Sequence, residues 1–88
     1  MPIRQMELKD IPAVLNIQNE LSFQDWNERQ LSREISANYT FAVVYENSFA
    51  EILGYAIFHL LGPDSELLSI AVSSKAQRSG IGGELLLS

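Results

Sequence analysis

The chain has 88 residues, 47% of them hydrophobic and 19% charged, a globular balance that argues against disorder and leaves room for one domain or part of one. Eleven acidic residues against six basic ones give a formal net charge of -5, which disfavours general binding to a phosphate backbone. There is no cysteine, so disulfides, thiolate metal sites and a cysteine nucleophile are excluded.

No window approaches the roughly 18 uncharged apolar residues of a transmembrane helix. The opening Met1-Pro2-Ile3-Arg4-Gln5 lacks a signal peptide's apolar core, so a cytoplasmic setting without membrane contact is expected. Residues 3–6 alternate weakly and predict a short strand. Asp10 then stands as a helix N-cap, with Pro12 where a missing N–H does little harm. Ile11, Val14, Leu15 and Leu21 mark one face of a helix to about residue 20. Asn27 with Gln30 three positions on resembles a capping box, predicting a second helix over 28–37 with Leu31 and Ile35 inward.

The pattern then changes to strands. Residues 40–45 are β-branched and aromatic, and residues 52–61 predict a longer strand with Gly54 as a bulge or close-approach position. Gly62-Pro63-Asp64-Ser65 is a turn signal. The almost unbroken apolar run over 67–72 predicts a strand covered on both faces. A polar, glycine-containing loop over 73–83 leads into the first turns of a helix at 84–88. No C-cap closes that helix, and a crossover normally returns to another strand. The 88 residues are therefore expected to be the N-terminal part of a single larger domain. An unpaired apolar edge on strand 67–72 would invite self-association.

The segment Gln77-Arg78-Ser79-Gly80-Ile81-Gly82-Gly83 is the most informative stretch. Glycines allow tight turns and close backbone approach, and a helix start presents free N–H groups and partial positive charge. Together these suit a phosphate or pyrophosphate, and Lys75 and Arg78 bring basic charge into an acidic chain. A phosphate-binding P-loop would need Gly-Lys, which is absent, and the dinucleotide fingerprint fails because position 85 is Leu. The plainer reading is that three glycines shape a tight strand-to-helix turn.

With its flanks, Ala71-Val72-Ser73-Ser74-Lys75-Ala76 before it and Glu84-Leu85-Leu86 after it, this segment resembles the acetyl-CoA signature of the GNAT N-acetyltransferases. Gln77, Gly80 and Gly82 match that signature, Gln/Arg-x-x-Gly-x-Gly/Ala. The order of elements along the whole chain is similar too. The stretch from Glu66 to Val72 looks like the fourth strand of the RimI-type enzymes, which acetylate protein N-termini. Trp26-Asn27-Glu28 is similar to the start of that branch's second helix, although its Phe-Pro-Trp reads Phe23-Gln24-Asp25-Trp26 here.

The resemblance implies an α+β fold of the GNAT type: strand, two helices, three strands and the start of a third helix, with the C-terminal half missing. It implies acyl transfer from acetyl-CoA, a small-molecule co-substrate, to a primary amine such as a protein or peptide N-terminus. Backbone N–H groups of Arg78, Ser79, Gly80, Ile81, Gly82 and Gly83, beside Gln77, would hold the pyrophosphate. The edge of Ile70, Ala71 and Val72 would pair with the pantetheine arm and polarise the thioester carbonyl. Glu66 matches the general base of the histone-acetylating branch, and an apolar surround would suit it to that work; the plainer reading is a solvent-facing glutamate beside a turn. A non-catalytic acyl-CoA-binding or interaction module with a truncated GNAT fold is the alternative.

Other residues have plainer readings. His59 has no second imidazole and reads as packing or surface, so no metal site is expected. Trp26 reads as a core or lid residue. Phe41, Tyr45, Phe49, Tyr55 and Phe58 read as sheet core and faces. Glu20, Asp25, Glu28 and Glu34 read as a solvated acidic face, or as a guide for a cationic amine.

Overall fold

The computed structural model describes residues 2–76 together with Gly83, Leu85 and Leu86. Strand β1 (Ile3–Gln5) leads through a 3-10 turn (Leu8–Asp10) into helix α1 (Ile11–Glu20) and helix α2 (Glu28–Ser36); strands β2 (Thr40–Glu46), β3 (Ile52–Leu61) and β4 (Asp64–Val72) follow. The strands form one antiparallel sheet in the order β1-β2-β3-β4. This is the α+β order expected from the sequence. None of the described helices is long and apolar enough to cross a membrane.

Each face of the sheet carries its own apolar cluster. On one face Ile11, Val14 and Ile17 of α1 and Leu31 of α2 meet Ala42, Val44, Tyr55, Ile57 and Ala71. The alternation of strand side chains places the residues between these on the other face, where Val43 and Ala56 pack with Ala76 and Leu85. Gly83, Leu85 and Leu86 are helical, and Leu85 is fully buried.

Helix starts are built in two ways. Asn27 and Gln30 form the expected capping box: Asn27 Oδ1 accepts from the Gln30 N–H at 2.8 Å, and Gln30 Oε1 accepts from the Asn27 N–H at 2.9 Å. Asp10 occupies the N-cap position of α1, but its side chain does not cap that helix. It turns back, accepting from the Glu7 N–H at 2.8 Å and taking both oxygens to the Arg4 guanidinium at 2.8 Å each. Arg4 also reaches the Glu46 carboxylate at 3.1 and 3.2 Å. Arg4 thus joins β1, the 3-10 turn and β2 and neutralises a buried acid. Burial pushes the Asp10 carboxyl up, but its bonds to Arg4 and to the Glu7 N–H outweigh that and leave it below the usual range; Glu46 is also held low, chiefly by Arg4.

The sheet corrects two expectations and refines a third. Only Gly62 and Pro63 lie between β3 and β4, because Leu61 already pairs with Asp64. Gly62 takes φ +63°, the left-handed value that a tight mirror-image hairpin turn asks of its first central residue. The fourth strand therefore starts at Asp64 instead of residue 67, and its first four residues, Leu67 among them, are exposed instead of covered. Gly54 sits in register with Tyr45 and Val72, and the irregularity falls beside it at Leu53. Finally, Phe49 is 83% exposed in the β2–β3 turn, not part of the sheet.

Candidate functional site

Strand β4 stands at the end of the sheet order opposite β1. Its register with β3 breaks once: Ile57 faces Ser69 while Phe58 faces Leu67, so Leu68 is an extra residue on β4. Such a bulge bends a strand and increases its twist. It divides β4 into an exposed hairpin half and a packed half. In the packed half Ile70, Ala71 and Val72 lie opposite Ala56, Tyr55 and Gly54. Ala71 is buried towards the helices, and Ile70 and Val72 are half-buried on the other face.

Behind this half lies a buried phenol. Tyr55 is fully buried, and Ser69 Oγ lies 3.4 Å from its hydroxyl oxygen. Burial pushes the Tyr55 phenol up, so it stays protonated and neutral near pH 7.

After Val72 the chain makes a closed turn. The Ser73 N–H donates to the Leu53 carbonyl at 2.8 Å, and the Ala76 N–H donates to the Ser73 carbonyl at 2.9 Å. The Lys75 N–H lies 3.3 Å from Ser73 Oγ, which accepts from it. From the far side Glu20, the last residue of α1, accepts through Oε1 from Ser73 Oγ at 2.9 Å, from the Ser74 N–H at 2.6 Å and from Ser74 Oγ. The Ser74 and Ser73 donors, helped by Lys75, hold the Glu20 carboxyl below its usual range.

Of the predicted site residues, Gln77, Arg78, Ser79, Gly80, Ile81 and Gly82 lie outside the described residues. Gly83 is exposed, and a Cβ there would meet nothing within 4 Å, so no described neighbour requires glycine at that position. Glu66 is exposed on the hairpin half of β4, opposite His59, rather than enclosed by an apolar surround. His59 is itself engaged: its Nε2 lies 2.7 Å from Glu34 Oε1, to which Thr40 Oγ1 donates at 2.9 Å, and Tyr39 meets its ring edge-on at 5.0 Å. Among the described residues no three His, Cys, Asp or Glu side chains group to hold a metal.

The acidic residues divide. Asp25 and Glu28 are exposed as expected, whereas Glu20 and Glu34 each bind a neighbouring element. Sequence reasoning missed Gln18, which is 1% exposed. Its Oε1 accepts from the Asp25 and Trp26 N–H groups at 2.9 and 3.0 Å, and its Nε2 donates to the Trp26 carbonyl at 3.1 Å. The available signal was an amide on the apolar stripe Val14, Ile17, Leu21. Gln18 shapes the segment between the helices, where half-buried Trp26 packs against the core. Trp26 Nε1 is buried with no hydrogen-bond partner among the described residues.

The model of the acetyltransferase (GNAT) family matches residues 3–88. Comparison with curated protein sequences gives no significant match. Among solved structures, the ribosomal-protein-S18-alanine N-acetyltransferase of Escherichia coli, the RimI enzyme, superposes with a TM-score of 0.83 at 24% identity, over 97% of this chain and 54% of that one. The PaiA N-acetyltransferase of Thermoplasma acidophilum, in complex with coenzyme A, gives 0.81 at 15% identity, over 97% and 66%. Ard1 of Thermoplasma volcanium gives 0.77 at 22% identity, over 96% and 57%. The chain spans about half the length of the first and third of these and two thirds of the second.

Proposed function

The chain belongs to the acetyltransferase (GNAT) family, and on that premise we propose that the protein transfers an acetyl group from acetyl-CoA to a primary amine, with a protein or peptide N-terminus as acceptor. The observation that carries this reading is the bulged end strand β4 running through a pinned turn towards the Gln77-to-Gly83 signature. Its packed half fits an extended arm laid along the sheet, with half-buried Ile70 and Val72 as apolar walls. Acetyl-CoA supplies the thioester; the amine nitrogen takes the acyl carbon as the carbon–sulfur bond breaks and coenzyme A leaves. The outer backbone edge of residues 70–72 would polarise the thioester oxygen, and backbone N–H groups of residues 78–83 would bind the pyrophosphate. A cytoplasmic setting goes with this reading, as does the expectation that the chain is the N-terminal part of one GNAT domain.

The ammonium form of the acceptor must lose a proton before it attacks. Glu66 is about 13 Å along the strand from Ile70, so it would take that proton through water and not directly. Its exposure is also the observation that favours the second reading, a module that binds acyl-CoA without turnover.

The test is calorimetric titration of the protein with acetyl-CoA beside the double variant Arg78→Glu, Gly80→Val, followed by mass-spectrometric acetylation of peptide N-termini. Binding by the parent and not the variant, with transfer to the peptide, is the expected result. In the transfer assay Glu66→Gln should lower kcat about a hundredfold with the donor Kd unchanged. Binding with no transfer to any amine would decide for the module.

A further inference from the structure

We propose that Glu20 is a positioning residue for the acyl donor: it fixes the turn from which the chain leaves β4 for the donor loop. The inference rests on the reading of Gln77 to Gly83 as that loop. Three features support it. The first is the convergence on one oxygen. Glu20 Oε1 accepts from both Ser73 and Ser74, residues more than fifty positions away in the chain.

The second is electrostatic. A carboxylate on the last residue of a helix faces the negative end of the helix dipole, and the last turn of α1 carries no basic residue to compensate. Helix propensity alone gives no reason for an acid there, but the serine donors do.

The third is the number of directions from which the turn is held. Ser73 is 3% exposed and anchored to the Leu53 carbonyl of β3, and Ala76 is 8% exposed in the cluster with Val43, Ala56 and Leu85. Glu20 supplies the constraint from the helix side. The residue immediately before Gln77 is thereby placed relative to both the sheet and α1. Backbone donors bind an anion well only when they are pre-aimed, so a turn left loose would cost donor affinity without removing any group that touches the donor.

The experiment compares Glu20→Ala, Glu20→Gln and the pair Ser73→Ala, Ser74→Ala in the whole protein. It reads the donor Kd by calorimetry, the separate KM values for acetyl-CoA and the peptide amine, and the melting temperature. Glu20→Ala should weaken donor binding about tenfold, the order expected for lost hydrogen bonds to a charged group, with the amine KM within about twofold. Glu20→Gln keeps an accepting Oε1 and should recover most of the affinity. The serine pair should match Glu20→Ala, and combining them should add little more.

Equal donor affinity in Glu20→Ala and the parent would overturn the proposal. So would a Glu20→Gln variant as weak as Glu20→Ala, or equal changes in both KM values alongside a large fall in melting temperature. Failure of the parent itself to bind acetyl-CoA would overturn the donor-loop reading, and with it this one, and is distinguished by the parent titration alone.

Discussion

The two faces of the sheet are finished to different degrees. On the helix-covered face Val14, Leu31, Val44, Tyr55 and Ile57 are completely buried, and the buried polar side chains of Asp10 and Gln18 each make several hydrogen bonds. On the opposite face Val43, Ala56, Ala76 and Leu85 are buried, while Ile3, Tyr45, Phe58, Ile70 and Val72 are half-covered and Leu60 is 49% exposed. The first face contains the apolar area that stabilises the fold. The second contains the Ile70 and Val72 side chains beside which the donor arm is proposed to lie, and apolar surface kept for a ligand cannot also be fully spent on stability.

The largest test of that contrast is a pair of truncations on neighbouring positions of β3. Ile57→Ala on the finished face should lose about 3–4 kcal/mol of unfolding free energy, and Phe58→Ala on the other face about half of that despite its larger side chain. Chemical denaturation measures both, and equal losses would erase the distinction between the faces. Next in size is Arg4→Met, which leaves Asp10 buried without its cation and should cost about 3 kcal/mol near pH 7. The sign with pH follows from the lowered Asp10 and Glu46 carboxyls. Their contribution is complete above the ordinary carboxylate range near pH 4 and is lost as pH falls through the lower folded values. Denaturation curves of parent and variant should therefore converge below about pH 4.

A smaller effect is expected from Gln18→Leu, which keeps the apolar stripe but leaves the Asp25 and Trp26 N–H groups and the Trp26 carbonyl without their partner. A loss of about 2 kcal/mol is expected, together with faster amide exchange at Asp25 and Trp26 as the specific readout. At the bottom of the scale, Phe49→Ser removes a ring that belongs to neither face and should change stability by less than about 0.5 kcal/mol.

The elements were legible where local chemistry decides them. The capping box at Asn27 and Gln30 needs nothing beyond its own four residues, and the centres of β2 and β3 announce themselves through β-branched and aromatic side chains. The hairpin half of β4 was not legible, because Asp64, Ser65 and Glu66 carry no apolar period. They pair only because the Gly62-Pro63 turn hands the chain straight back onto β3. Asp10 read as a cap because its type and position fit one; the competing guanidinium of Arg4 becomes its neighbour only when β1 joins the sheet. Likewise Glu20 looked like one more solvated acid, since its serine partners are far along the chain. In the candidate site the strand of Ile70, Ala71 and Val72 was legible from the apolar run. The bulge at Leu68 was not, because a one-residue slip leaves no mark on composition.

The three-residue strand β1 carries one more consequence, for the order of assembly. Strands β2, β3 and β4 are joined by short turns, so their pairing closes small loops. Pairing β1 to β2 instead encloses both helices, and Arg4 and Glu46, whose ion pair fastens that junction, are 42 residues apart. Loop-closure entropy makes the local hairpins the early event and the docking of β1 a late one. Substitutions at Arg4 should then speed unfolding while leaving the refolding rate almost unchanged, and those at Ile57 should slow refolding.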